Sequence, residues 1–245
     1  MWENELKPEQ LPLSKVEKIK KQSESVSGVY LDNFTKEELL EKYRFKKIVV
    51  AGPPRSGKSC FNTGIKVIIK SIPNAPYPFI FTACPDGEGS WFQETTNNHP
   101  ELASQIKQGY KGKFTPEFVA EKSKSVANLG SESSPLSFID IGGIISSENA
   151  QICKNANAGI ILCGEEGVEN NMIAEWKQFF TELKIPVIAE IYSDYSGKED
   201  IPGEVDSHGT YRGSVHHLER GENLSDRETL RDLADHILSF EKRSK

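Results

Sequence analysis

The sequence has no Cys-x-x-Cys pair, no long apolar run and no excess of basic residues. Each gap excludes something. Cys60, Cys84, Cys153 and Cys163 are too few and too scattered for a disulfide framework or a cysteine-ligated zinc site, so they read as reduced, buried thiols. No apolar stretch is long enough to span a bilayer, and Met1-Trp2-Glu3-Asn4-Glu5 lacks the basic-then-apolar start of a signal peptide. The expectation is a soluble, cytoplasmic protein with no membrane partner. A formal net charge of -6 gives no electrostatic footprint for nucleic acid, so that class of partner is not expected.

What is present suffices for a core. Of 245 residues, 36% are hydrophobic and 27% charged, a globular balance rather than a disordered one. Residues 1–34 are polar; 14–22 could form a short helix, but with few apolar residues the segment reads as a loose N-terminal arm, and residues 35–245 read as one α/β domain. Thr35 and Glu38 match a capping box for a helix over 35–43, and Ser225 with Glu228 match another for a helix over 225–240. Between them apolar runs alternate with helical patterns. Strands are expected at 45–51, 78–84, 136–141, 159–163, 186–191 and 211–218. Helices are expected at 60–71, 116–129, 147–155 and 171–183, and 193–209 is expected as an exposed loop. Such alternation predicts three layers, with a mostly parallel central sheet flanked by helices.

The most specific motif is Gly52-Pro53-Pro54-Arg55-Ser56-Gly57-Lys58-Ser59, which fits G-x-x-x-x-G-K-[ST] at every fixed position and lies between an apolar strand and a helix. Glycines at both ends let the backbone curl, so that N–H groups through Cys60 point at phosphate oxygens. Lys58 would reach the terminal phosphates and the Ser59 hydroxyl would ligate Mg²⁺. A second carboxylate is needed at a strand end, and Asp140, before Gly142-Gly143, is the candidate for the metal. No Glu follows Asp140 directly, which points away from ring-forming motor ATPases. Asp86, in the acidic glycine turn Asp86-Gly87-Glu88-Gly89-Ser90-Trp91, would be a catalytic carboxylate accepting a proton from an acceptor hydroxyl. Trp91 and Phe92 would cover a base or substrate ring; equally, the segment reads as a surface turn with solvated acids and an aromatic pair that plugs the core.

No Asn/Thr-Lys-x-Asp follows Ile191, so ATP is favoured over GTP as the cofactor. His216, His217 and Arg220 are the remaining candidates: Arg220 as a charge-stabilising finger, the histidines as phosphate contacts or an ordinary strand end. The segment 99–129, with Lys107, Lys111, Lys113 and Lys122, would serve as a lid. These features leave three alternatives open. The chain is a kinase for a small molecule or nucleotide acceptor, a slow ATPase acting as a switch on a protein partner, or a nucleotide-binding fold without turnover.

The glycine loop, the Ile139-Asp140-Ile141-Gly142-Gly143 strand end and the strand–helix–strand run 159–191 resemble the AAA-labelled P-loop domain attached to CRISPR-associated ring nucleases. The resemblance covers residues 46–240. It implies nucleotide binding at Gly52, Gly57, Lys58 and Ser59, a metal at Asp140, and a place beside a ring nuclease in antiviral signalling. It carries over no nuclease residue, since no nuclease domain is visible in residues 1–45.

Overall fold

The computed structural model describes residues 14–35, 37–38, 46–85, 101 and 114–239. Strand β1 (Lys46–Ala51) is an interior strand, third of seven in the sheet. Around it lie β2 (Pro78–Thr82), β3 (Leu136–Asp140), β4 (Ala158–Cys163), β5 (Val187–Asp194), β6 (Ile201–Val205) and β7 (Tyr211–His216), in the order β2-β3-β1-β4-β5-β7-β6. Every neighbouring pair is parallel except β6 with β7. The expected α/β architecture is therefore what the chain adopts.

β1 shows why its residues are apolar without alternation. Ile48 and Val50 enter one core and Val49 and Ala51 the other, and all four are fully buried. A strand covered on both faces has no solvent side to mark with polar residues. The first core packs β1 against α2 (Lys58–Ser71), through Phe61, Ile65, Ile68 and Ile69, and against α7 (Glu228–Ser239), through Leu230, Leu233, Ala234 and Ile237. The second holds α1 (Lys15–Glu24), α3 (Pro116–Asn128), α4 (Ser147–Cys153), the short α5 (Glu165–Glu169) and α6 (Met172–Glu182), with Trp176 and Phe180 at its centre.

Three expectations needed correction. The N-terminal arm is, in its described part, a helix docked on the sheet. Ser14 and Glu17 form a capping box, and Ile19 is fully buried. What holds α1 is mostly polar, which is why its few apolar residues favoured a loose arm over the short helix. The buried Lys177 ammonium donates to the Ser23 carbonyl at 2.6 Å and to its hydroxyl at 2.7 Å, and that hydroxyl donates to Glu190. Arg212 Nε donates to the other Glu190 oxygen at 2.7 Å. Buried charges closed into one network in this way avoid the desolvation cost of isolated ones.

The expected loop over 193–209 contains β6. Pro202 and Gly203 disguise it, because both residues argue against a central strand. On the sheet edge they are tolerated, and Gly203 is needed: a Cβ there would lie 2.3 Å from the Arg212 carbonyl oxygen and 2.4 Å from the Tyr211 ring. The last helix starts at Glu228, without the Ser225 cap. Asp200 Oδ2 accepts from Thr229 N–H at 3.2 Å instead, a cap supplied from a distant loop.

Thr35 and Glu38 do exchange both capping hydrogen bonds, at 3.2 and 2.7 Å. The rest of the helix expected at 35–43 lies outside the described residues, as do Asp86, Glu88, Trp91 and Phe92 and, in the 99–129 segment, residues 99–100 and 102–113. Of the four lysines named there, Lys122 is among the described residues, and it sits on α3 with its ammonium over the Phe81 and Phe118 rings. No helix among the described residues is long and apolar enough to cross a membrane.

Candidate functional site

The carboxyl ends of β1, β3 and β4 form one rim, and the glycine loop rises from it. Gly52 has φ 139°, and a Cβ on it would lie 1.9 Å from the Leu162 carbonyl oxygen, so no other residue fits. Arg55 and Gly57 also have positive φ, 64° and 82°. Alternation of this kind curls successive N–H groups inward into a concave anion nest. The chain then enters α2 directly, with Phe61 N–H bonded to the Gly57 carbonyl at 2.8 Å, and the first turn of α2 presents its N–H groups to the same hollow.

Lys58 folds back over the loop. Its Nζ donates to the carbonyls of Gly52 at 2.8 Å and Pro53 at 2.9 Å. Burial lowers its pKa, opposed by the nearby Asp140 carboxylate. Ser59, one residue on, donates a long 3.4 Å hydrogen bond to Asp140 Oδ2. Asp140 is buried at the end of β3, and the β1–β3 register sets it beside Val50. It does not cap the following helix; Ser146 does, accepting from Asn149 N–H at 3.2 Å.

Two further segments close the hollow. The turn Gly142-Gly143-Ile144 follows Asp140 and lies on the loop so tightly that a Cβ on Gly143 would be 2.6 Å from Pro54 N. Leu218, Glu219 and Arg220 come from the far side, after β7, and Leu218 packs on Gly57. The resulting open cavity is about 620 Å³ and is lined by Pro54 through Cys60, Cys84, Asp140 through Ile144, and Leu218 through Arg220. A second cavity of about 790 Å³ adjoins it over the ends of β4 and β5. Pro54, Arg55, Ser56 and Leu218 belong to both walls.

Cys60 and Cys163 are not poised for chemistry. Burial pushes Cys60 up to about 11 and Cys163 up to about 12. Cys60 faces the site as a protonated group, so what it offers is its place in the first turn of α2. Ser59 and Asp140 are a hard hydroxyl–carboxylate pair, a donor set suited to Mg²⁺. No cluster of three His, Cys, Asp or Glu able to hold a metal alone occurs among the described residues.

No protein-family model matches the chain, and no curated protein matches it. Among solved structures it is similar to a nucleotide-binding protein in complex with ADP from Archaeoglobus fulgidus, with Co. The identity is 12%, the TM-score is 0.42, and the match covers 83% of this chain and 93% of that one. At that score the likeness says nothing of what this chain does.

Of the residues singled out in the sequence, the structure brings Gly52 through Cys60, Asp140 and Arg220 to one hollow. It keeps the histidine pair out. His216 is held by Asp200, Nδ1 to Oδ1 at 2.7 Å, and His217 leaves the strand at φ 45° and stacks on Tyr195. Sequence reasoning missed Asn149, whose amide Nδ2 donates to the Gly142 carbonyl at 3.2 Å and the Ile144 carbonyl at 2.7 Å. Nothing in the local sequence marks it: a polar residue early in a helix normally faces solvent. It also missed the wall formed by Glu165, Glu166, Tyr192 and Asp194, drawn from two strand ends distant in sequence.

Proposed function

We propose that the chain is a P-loop nucleotide-binding protein that takes ATP with Mg²⁺ and hydrolyses it or transfers its γ-phosphoryl group. The observation that carries this reading is the loop Gly52–Ser59, curled by three positive-φ residues, with Lys58 inside it and Ser59 set against Asp140. Backbone N–H groups of the loop and the first turn of α2 would receive the phosphate oxygens. Lys58 would exchange its two carbonyl partners for phosphate, and Arg220 supports the same charge from the opposite wall. Ser59 and Asp140 would hold Mg²⁺, which supplies charge neutralisation on the terminal phosphates. The ribose and base would extend into the 790 Å³ cavity past Arg55 and Leu218.

Asp86 stays in the proposal as the carboxylate for an acceptor hydroxyl, on the sequence alone. A regulatory switch is the second reading, favoured by the packing of the Gly142–Ile144 turn directly on the loop. A place beside a ring nuclease in CRISPR-linked signalling rests on the sequence resemblance. One experiment sorts these. ADP formation from ATP and Mg²⁺ is followed with and without nucleotides, cyclic oligoadenylates and small hydroxyl compounds. Dependence on one added compound identifies a kinase and its acceptor class. Slow, compound-independent hydrolysis identifies an ATPase or switch. Asp140→Asn should keep the fold and lose most Mg²⁺-dependent turnover; a wild-type rate would remove Asp140 from the site.

A further inference from the structure

We propose that Asn149 is a positioning residue that lets the site tell ATP from ADP. The proposal rests on the nucleotide reading above. Ser59 and Asp140 mark where a cation would bridge the last two phosphates. The turn Gly142-Gly143-Ile144 begins two residues beyond Asp140 and lines the same cavity, so it faces the terminal phosphate rather than the inner ones.

Among the described residues, one side chain bridges that turn. Asn149 is fully buried, and its Nδ2 reaches the carbonyls of both Gly142 and Ile144. Both partners are acceptors, so the amide orientation is chemically determined. With these two carbonyls drawn inward, the backbone of the turn is held flat on Pro53 and Pro54. The side chains are of no help in holding it: Ile144 is 70% exposed.

The pin is also incomplete. Asn149 Oδ1 is buried without a partner among the described residues. A buried orphan acceptor raises the free energy of the arrangement that contains it. The turn is thus restrained by two hydrogen bonds and loaded by one missing bond, which is the balance a two-position element needs. A γ-phosphate competing for the turn's N–H groups would act on that balance, and ADP, which lacks it, would not.

The test uses the full chain, ADP and a non-hydrolysable ATP analogue with Mg²⁺. Asn149→Leu keeps the shape and removes the donor. The preference for the ATP analogue over ADP should fall about five- to tenfold, with ADP affinity little changed and the thermal midpoint lowered, because two turn carbonyls lose their donor. Hydrogen exchange of the 142–146 amides should slow on adding the ATP analogue, but not ADP, in the wild type, and lose that difference in the variant. If Asn149→Leu does not fold, Asn149→Ser, too short to reach both carbonyls, gives the same readout. A folded variant that keeps the wild-type preference and exchange pattern overturns the proposal. A wild type that binds ADP but shows no preference for the ATP analogue also overturns it. A wild type that binds neither nucleotide overturns the nucleotide reading itself.

Discussion

Replacing Lys58 with Met separates the two things this residue does. Met matches the length of the lysine stem and removes the charge. The ammonium holds two loop carbonyls, at 2.8 and 2.9 Å. Losing those bonds costs stability, but removing a cation whose ionisation burial already disfavours gives some back. The two effects oppose, so unfolding stability should change by no more than about 1 kcal/mol. Affinity for ATP is different. In the complex the ammonium would exchange two neutral carbonyls for charged phosphate oxygens, and charge-assisted bonds are about twice as strong as neutral ones. The net loss should be about 2–4 kcal/mol, or about 30- to 1,000-fold in Kd. Titration calorimetry with ATP and Mg²⁺, beside a thermal melt, reads both quantities. A Lys58→Met protein that melts normally and binds ATP within twofold of wild type would refute the reasoning, because the loop would then not be reading phosphate through its lysine.

Further consequences follow from the packing. Gly52→Ala would place a methyl 1.9 Å from the Leu162 carbonyl oxygen; it should destabilise by more than about 3 kcal/mol, measured by urea denaturation. Ser23→Val removes the hydroxyl that Lys177 and Glu190 share and should cost about 2–3 kcal/mol, with α1 losing hydrogen-exchange protection before the rest of the sheet. Burial works against ionisation of Asp206, but Arg212 and the Thr210 and His208 N–H groups outweigh it and hold its pKa below 3.8. A depressed carboxylate stabilises the fold above its unfolded pKa and loses that contribution as pH falls through the folded one. Asp206→Asn should therefore lower stability at neutral pH, and the gap to wild type should narrow as pH drops below about 4. Acid titration by circular dichroism measures the gap.

The central sheet was legible because both its faces are buried: runs such as Ile48-Val49-Val50-Ala51 carry no polar mark and read directly as strands. The glycine loop was legible because its geometry admits so few residues at Gly52 and Gly57. What escaped was long-range and polar. Helix α1 has one fully buried apolar residue, Ile19, and is fixed by Lys177 and Glu190, more than 150 positions away. β6 hides behind Pro202 and Gly203, acceptable only on an edge that topology decides. The cap on α7 comes from Asp200, so the local Ser225–Glu228 pattern misled. Asn149 acts through two carbonyls five and seven residues back, a relation visible only once the turn is folded.

The most direct test is a calorimetric titration of the intact chain with ATP, with and without Mg²⁺. The proposed nucleotide site predicts one ATP bound per chain, tighter with Mg²⁺ than without it, and displaced by ADP. No binding at millimolar ATP in a folded protein, with or without the cation, would contradict it.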